Sequence, residues 1–335
     1  MDHLVKKAVI GAVAALVTAI SVSPAHADPA FVPAPADIVG VGSDTTQDYV
    51  NALARAYDSQ SPSPAVKLAS WDATPKGATI TPKSGCAQIQ RPDGSSAGIK
   101  ALLNDTSGCL DFARSSRAKK ADGSENALAF FAFGRDGVTW ASQARTNAPK
   151  SLTRAKLSGI YRCSPQARKW NQVGGRTTQS IRPYLPQVGS GTRTFFLSAL
   201  GLTDAQVGSC VNQTIQENDG KALPNNANVI APYSIGKFIA QRYHHHNDRS
   251  GTAALHQIAS VNPTVGSKPA DIQLNGKFPA DFLRLVFNVV KKNNDGTVAA
   301  KYTGIFGKGG FACSKPAIIT DYGFLPLDAG CGAQS

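Results

Sequence analysis

The sequence predicts an α/β protein of two domains, and its length and a repeated local pattern support this prediction. The chain has 335 residues, and the part that follows a short apolar leader is longer than most single compact domains. A buried strand, a glycine turn and a helix follow one another at residues 37–57 and again at residues 181–200. Hydrophobic residues make up 42% of the chain and charged residues 17%, which is typical of a globular protein.

The leader has the form of a secretory signal peptide. Lys6 and Lys7 precede an apolar run over residues 8–22, and Ala25-His26-Ala27 has the small-x-small pattern of a signal-peptidase site. The run is too short to span a membrane comfortably. We therefore expect residues 1–27 to be a signal peptide cleaved after Ala27, and the mature protein to be secreted or periplasmic.

Six cysteines follow the leader, and an even number in an exported chain predicts three disulfides. The sequence alone leaves their connectivity open. We favour pairing between sequence neighbours, namely Cys86 with Cys109, Cys163 with Cys210, and Cys313 with Cys331. A zinc site is the alternative, but the chain has no C-x-x-C pair. None of the cysteines lies near the mature start, so we expect no lipid anchor.

The formal net charge of +13 predicts an anionic partner. A small anion, an acidic wall polymer and a nucleic acid all fit this charge. The basic residues are scattered, without a block of five and without an aromatic-interleaved stripe. Nucleic acid is therefore the weakest of the three, and we predict no nucleic-acid partner.

The first strand, turn and helix follow a Pro/Ala-rich segment at residues 28–36, which we expect to be extended and mobile. A short buried strand over residues 37–42 is followed by Ser43-Asp44-Thr45-Thr46. Asp44 and Gln47 have the spacing of a capping box. Backbone N–H groups at the start of the following helix are unpaired and offer a site for an anion.

Three more turns have the same character. Gly189-Ser190-Gly191-Thr192 separates a predicted strand at 181–185 from a predicted helix at 193–200. Residues 93–98 precede a helical stretch, and in residues 111–117 two serines lie between two arginines. A single Gly/Ser turn before a helix is usually no more than a cap. Four of them in one basic chain favour an anion-binding site.

Two apolar stretches predict strands that cross between the domains. Residues 130–140 lead out of the first domain, and residues 282–290 lead back into it. Between them we expect a helix at 151–161 and a strand-turn-helix at 229–241.

Six motifs occur in an order that resembles a known family. They are Gly42-Ser43-Asp44-Thr45, residues 94–98 (GSSAG), residues 111–116 (DFARSS), residues 152–171 (LT…L…I…WN), Gly189-Ser190-Gly191-Thr192, and residues 321–327 (DYGFLPL). The chain resembles the phosphate-binding proteins of ABC importers, which have the class II periplasmic-binding-protein fold. The GSGT motif, which in the family holds the anion at a helix start, is the most specific of the six.

The resemblance implies two α/β lobes with the ligand cleft between them. It places lobe 1 at residues 37–134 and 256–335 and lobe 2 at residues 135–255. It implies a monomer that binds a small oxyanion, most of all phosphate, without catalysis, metal or cofactor, and it implies an ABC permease as a possible partner. The candidate ligand-binding residues are Ser43, Asp44, Thr45, Thr46, Ser95, Ser96, Arg114, Ser115, Ser116, Gly189, Ser190, Gly191, Thr192 and Arg193.

Two positions depart from the family pattern. Ser116 stands where the family has an aspartate that accepts a hydrogen bond from protonated phosphate, and Pro186 stands where the family has an arginine that pairs with the anion. Arg193 or Arg114 could supply the charge, and Asp44 could supply the acceptor. If Asp44 instead caps its helix, which we expect, the affinities for sulfate and phosphate should differ by no more than about a hundredfold.

Three features of the sequence fit other functions. A wall-associated or adhesive protein could reuse the same fold without transport. Ser234-Ile235-Gly236-Lys237 fits the S-x-x-K motif of a secreted serine hydrolase, but neither S-D-N nor K-T-G accompanies it. His244-His245-His246 is better explained as a polar surface turn than as a metal site, because adjacent histidines point in different directions.

Overall fold

The computed structural model describes residues 28–335, so the predicted signal peptide and its cleavage site lie outside the described residues. The strands are β1 Ile38–Gly42, β2 Leu68–Ser70, β3 Thr79–Ile80, β4 Ile89–Gln90, β5 Phe112–Ser115, β6 Leu128–Gln143, β7 Ser151–Leu152, β8 Arg182–Pro186, β9 Asn212–Ile215, β10 Val229–Ser234, β11 Ala253–Leu255, β12 Gln257–Ile258, β13 Thr264–Val265, β14 Gln273–Leu274, β15 Leu283–Lys291 and β16 Leu325–Pro326. The helices are α1 Gln47–Asp58, α2 Ser95–Asn104, α3 Arg154–Tyr161, α4 Gly191–Ala199, α5 Ile235–Arg242, α6 Ala300–Phe306 and α7 Pro316–Asp321.

One continuous sheet joins the two lobes, in the order β2-β1-β5-β15-β6-β10-β8-β9. Strands β2, β1 and β5 are parallel and form the first lobe with the amino-terminal part of β6. Strands β10, β8 and β9 are parallel and form the second lobe with the carboxyl-terminal part of β6. This arrangement confirms the predicted two-lobed α/β fold.

Each lobe has its own hydrophobic core. In the first lobe one cluster contains Tyr49 and Phe133, whose rings stack 4.2 Å apart, and a second cluster contains Ile99 and Phe130. In the second lobe the main cluster contains Trp140, Trp170 and Phe196. Helices therefore cover the sheet in both lobes, and the carboxyl ends of the parallel strands are left to face the gap between them.

The chain crosses between the lobes on β6 and β15, which are the two apolar stretches that predicted the crossings. Strand β6 is a single 16-residue strand rather than two separate ones. It pairs antiparallel with β15 from Gly137↔Leu283 to Leu128↔Lys291, with an irregularity between Val286 and Phe287. The segment just before β15 packs in the second lobe, where Ile258, Leu274 and Phe278 join the main cluster.

The three predicted disulfides are confirmed with the predicted pairing. Cys86 is bonded to Cys109, Cys163 to Cys210, and Cys313 to Cys331. Each bridge links two segments of the same lobe, so the disulfides leave the lobes free to move against each other.

The Pro/Ala-rich segment at 28–36 is held against the first lobe, so the prediction that it is mobile was wrong. The Asp28 carboxylate pairs with the Arg91 guanidinium at 2.6 and 2.7 Å. Farther along, the backbone carbonyl of Pro33 accepts a hydrogen bond from Ser84 N at 2.7 Å. Across residues 28–335, no helix is both long and apolar enough to cross a membrane.

Candidate functional site

The site lies between the lobes, where the β1–α1 loop and the start of α2 meet the start of α4. The residues just before α4 determine where this helix starts. Ser190 is the N-cap residue, and its Oγ accepts a hydrogen bond from Arg193 N at 3.0 Å. The preceding Gly189 has a φ of +104°, a conformation that favours glycine. The GSGT motif therefore forms a capped helix start aimed at the opposite lobe.

A cluster of serine hydroxyls from the first lobe faces this helix start. Ser116 Oγ lies 3.2 Å from both Ser43 Oγ and Ser95 Oγ, and Ser116 N donates to Ser95 Oγ at 2.9 Å. All three serines are fully buried. Gly191 of α4 packs directly against them, because a Cβ at this position would lie 2.2 Å from Ser95 Oγ and 2.4 Å from Ser116 Oγ. The close approach of the lobes therefore requires glycine here.

Two threonines meet beside the serine cluster. Thr45 Oγ1 of the first lobe lies 3.2 Å from Thr192 Oγ1 of the second. Both hydroxyls donate to Glu217 Oε1, at 2.7 and 3.3 Å. Asn218 Nδ2 donates to Thr45 Oγ1 at 3.0 Å and to Asp44 Oδ2 at 3.2 Å. A buried carboxylate and a buried amide thus join the hydroxyls of both lobes.

The floor of the site is an ion pair on the two crossing strands. Asp136 Oδ2 of β6 accepts from Arg284 Nε at 3.0 Å and from Arg284 Nη2 at 2.8 Å. Ser234 Oγ and Gly236 N also donate to this carboxylate, at 2.8 and 2.9 Å. Arg284 Nη2 reaches Thr192 Oγ1 at 3.0 Å, while its Nη1 is buried without a hydrogen-bond partner among residues 28–335. A cation with a free N–H group therefore lies under the hydroxyl cluster.

Asp44 does not cap α1, so the capping-box prediction was wrong. The N-cap residue is Thr46, which makes no side-chain capping bond. The Asp44 side chain turns instead toward Asn218 in the other lobe. Burial raises the pKa of Asp44 to about 7, against the lowering effect of nearby Lys237, and the charges of Glu217 and Asp48 raise it further.

The two arginines that we considered for the anion have other partners. Arg114 donates to the carbonyls of Ser43 at 3.1 Å and Trp71 at 2.8 Å, and burial lowers its pKa to about 10. Arg193 donates to Asp204 Oδ1 at 2.8 Å and to the Pro186 carbonyl at 3.0 Å. Both guanidinium groups therefore support the loops around the site.

The remaining candidates lie at the edge of the cluster. Ser96 N donates to the Gly189 carbonyl of the other lobe at 3.0 Å, and Ser96 Oγ accepts from Arg117 Nε at 2.9 Å. Ser115 Oγ donates to the Arg117 carbonyl at 2.8 Å. Thr46 is buried next to Thr45. These residues shape the turns that carry the central hydroxyls.

Further contacts between the lobes close the cleft. Asp93 Oδ1 of the first lobe accepts from Gln187 Nε2 at 2.8 Å and from Gln216 Nε2 at 2.9 Å in the second. The Lys237 ammonium pairs with Asp48 on α1. The hydroxyl cluster is consequently shielded from solvent on all sides. Such an enclosed group of donors suits a small, highly polar ligand that exchanges its hydration shell for hydrogen bonds.

The motifs behind the alternative functions have structural partners. Ser234 caps α5 by accepting from Lys237 N, and it donates to Asp136, so its hydroxyl is not activated by the lysine. His246 Nε2 lies 2.8 Å from Asp321 Oδ2 on the surface. Across residues 28–335 no group of three or more His, Cys, Asp or Glu side chains is arranged to hold a metal ion.

Sequence reasoning missed four residues of the site, namely Asp136, Glu217, Asn218 and Arg284. Two of them carried a usable signal. Asp136 and Arg284 are charged residues inside mostly apolar strands, and a charge buried there needs a partner.

Comparison with known proteins agrees with this fold. A family model described as a PBP superfamily domain matches residues 30–270. No curated protein matches the sequence. An ABC-type phosphate transport receptor from Vibrio cholerae is 23% identical with a TM-score of 0.59, and the match covers 86% of this chain and 99% of that one.

Two further solved structures share the fold. A protein described as a phosphate ABC transporter substrate-binding protein, from Clostridium perfringens and with bound phosphate, is 17% identical with a TM-score of 0.61 over 87% of this chain and 99% of that one. A phosphate-binding protein from Stenotrophomonas maltophilia is 15% identical with a TM-score of 0.50 over 88% and 91%. At these identities the likeness concerns the fold.

Proposed function

The chain belongs to the PBP superfamily, and from this premise we propose that it captures a small oxyanion, phosphate, between its two lobes and performs no chemistry on it. The observation that carries the proposal is the hydroxyl cluster. Ser43, Ser95 and Ser116 of the first lobe converge on Gly191 and Thr192 at the start of α4, and all are fully buried.

The chemistry of the cluster suits a tetrahedral oxyanion. Hydroxyl and backbone N–H donors from two lobes can surround oxygens that point in four directions. The starts of α2 and α4 add the favourable end of two helix dipoles. Arg284 of β15, which pairs with Asp136, supplies a positive charge at the floor of the site. The solved relative from Clostridium perfringens holds phosphate in the same fold, which favours phosphate among oxyanions.

Binding by this fold requires the lobes to open and close. The crossing strands β6 and β15 connect the lobes, and hydrogen bonds such as Thr45–Glu217 and Ser96–Gly189 form across the closed cleft. A ligand that bridges the lobes would favour the closed form. Charge-assisted hydrogen bonds contribute roughly 1.5–3 kcal/mol each, so a few of them account for tight binding.

We also propose where the protein acts and with what. Three disulfides fit an oxidising compartment outside the cytoplasm, as the predicted signal peptide does. The structural relatives include an ABC-type transport receptor, so an ABC importer is the proposed recipient of the ligand. We propose that the boundaries between the lobes lie within β6 and at the start of β15, because Ile258, Leu274 and Phe278 pack in the second-lobe cluster.

Calorimetry on the mature protein tests the proposal. The wild type should bind phosphate, and Thr192→Val should weaken binding at least about tenfold, since one charge-assisted hydrogen bond is lost. Thr194→Val is the matched control, because this exposed threonine lies on the same helix and bonds only the Ser190 carbonyl. Its dissociation constant should stay within about twofold of the wild type.

A thermal-shift panel of phosphate, arsenate, sulfate, molybdate and small carboxylates identifies the anion class. A shift with none of them, together with no calorimetric signal for phosphate, would rule out the proposed function.

A further inference from the structure

Glu217 has one carboxylate oxygen that the protein leaves without a partner. Only 1% of the residue is exposed, and its Oε1 accepts hydrogen bonds from Thr45 and Thr192, one from each lobe. Its Oε2 is buried and has no hydrogen-bond partner among residues 28–335. A buried polar atom of this kind is rare, and it points to a group that arrives with the ligand.

No cation neutralises this carboxylate. Within residues 28–335 Glu217 forms no ion pair with lysine or arginine, since Arg284 pairs with Asp136 and Lys237 pairs with Asp48. The charged groups that interact with Glu217 are Asp44 after β1 and Asp93 before α2. One contact farther away lie Lys237 and Asp48, which interact with Asp44, and the Arg284–Asp136 pair, which reaches Thr192. An anion that binds next to Glu217 therefore meets a carboxylate that forms no ion pair with lysine or arginine within residues 28–335.

We propose that Glu217 is the specificity-determining residue of the site, accepting a hydrogen bond from the protonated oxygen of a hydrogen phosphate or hydrogen arsenate ion. This inference rests on the proposed function. An ionised carboxylate in an enclosed site repels a fully deprotonated anion such as sulfate, and it accepts a hydrogen bond from an oxyanion that has a P–OH or As–OH group. The proton remains on the ligand, and no bond is made or broken.

The other acidic and hydroxyl groups are less suited to this role. Ser116, at the position where the family resemblance predicted an acceptor, already bonds two other serine hydroxyls. Asp44 accepts from Asn218 Nδ2, and neither of its carboxylate oxygens is among the buried atoms without a partner in residues 28–335. Glu217 is therefore the carboxylate that touches hydroxyls from both lobes and still has a free oxygen.

Calorimetry with phosphate, arsenate and sulfate at pH 8 tests the proposal on the wild type, Glu217→Gln and Asp44→Asn. The wild type should prefer phosphate and arsenate over sulfate by at least about a hundredfold. Glu217→Gln should reduce this preference at least about tenfold, because the amide can donate to sulfate. Asp44→Asn should keep the preference.

Glu217→Ala gives a second readout, because it removes the carboxylate without adding a donor. Its preference for phosphate and arsenate over sulfate should also fall at least about tenfold. If Glu217→Gln does not fold, Glu217→Ala decides.

Two results would overturn the inference while leaving the proposed function intact. The first is an unchanged phosphate preference in Glu217→Gln, and the second is loss of the preference in Asp44→Asn alone. A wild type that binds neither phosphate nor sulfate would instead overturn the proposed function.

Discussion

Substitution of Gly191 by alanine should separate binding from folding. A Cβ at this position would lie 2.2 Å from Ser95 Oγ, 2.4 Å from Ser116 Oγ and 2.9 Å from Ser95 Cβ. Ordinary van der Waals contact between such atoms is about 3.5 Å. Rotation of the hydroxyls cannot remove the contact with Ser95 Cβ, because Ser95 is fixed at the start of α2. The added methyl group must therefore push the lobes apart or displace α2.

The expected size of the effect follows from the location of the clash. Overpacking of a well-packed site costs roughly 1–3 kcal/mol, which corresponds to about a 5- to 150-fold increase in the dissociation constant if the closed form carries all of it. The open form relieves the clash and leaves the hydrophobic core of each lobe unchanged. The variant should therefore lose affinity for phosphate without losing thermal stability in its ligand-free form.

Calorimetry and small-angle scattering measure the two parts of this prediction. Gly191→Ala should bind phosphate more weakly and should show a larger radius of gyration than the wild type in the presence of the ligand. Gly304→Ala is the control, because Gly304 lies in α6 and a Cβ there has no heavy atom within 4 Å. A Gly191→Ala protein with wild-type affinity and radius of gyration would refute the reasoning.

Three further predictions concern stability. Asp136→Asn should destabilise the protein by roughly 3–5 kcal/mol in urea unfolding, because it leaves Arg284 buried without its counter-charge, and a loss below about 1 kcal/mol would contradict this. Burial lowers the pKa of His256 to about 4, so between about pH 6.5 and about pH 4 the unfolded chain binds a proton that the folded chain does not. The free energy of unfolding should therefore fall as the pH drops through this range, by up to roughly 3 kcal/mol. His256→Gln should flatten this acid limb. Thiol titration of denatured, unreduced protein should find no free thiol, and loss of the Cys163–Cys210 bridge should cost roughly 2–4 kcal/mol in calorimetric or urea unfolding.

The parts of the site that form local patterns could be predicted from the sequence. The Gly189–Thr192 turn is visible because glycine, a capping serine and a helix follow one another within a few residues. The crossing strands are visible because long apolar runs are rare outside cores. The cysteine pairs were found because each links neighbours in the sequence.

The parts that depend on distant contacts could not be predicted in this way. Glu217 and Asn218 lie in a polar stretch that reads as a solvated loop, yet both are buried, and Asn218 bonds Ser234 of its own lobe and Asp44 of the other. Asp44 has the right spacing for a cap, but its carboxylate bonds a residue 174 positions away. Arg284 and Asp136 are 148 positions apart, and only the pairing of β15 with β6 brings them together.

The strand pair β6–β15 has a mechanical consequence. Gly134 pairs with Val286 at the irregularity between Val286 and Phe287, and Gly137 pairs with Leu283 three residues away. Glycine in a strand weakens its resistance to bending. The rest of the pair is regular, so bending strain concentrates over a few residues and the lobes swing about a defined axis. A stiffer axis would shift the equilibrium between open and closed forms and thereby change affinity without altering the binding loops. Substitutions in β6 can therefore change the range of ligand concentrations over which the protein binds, while the binding loops stay constant.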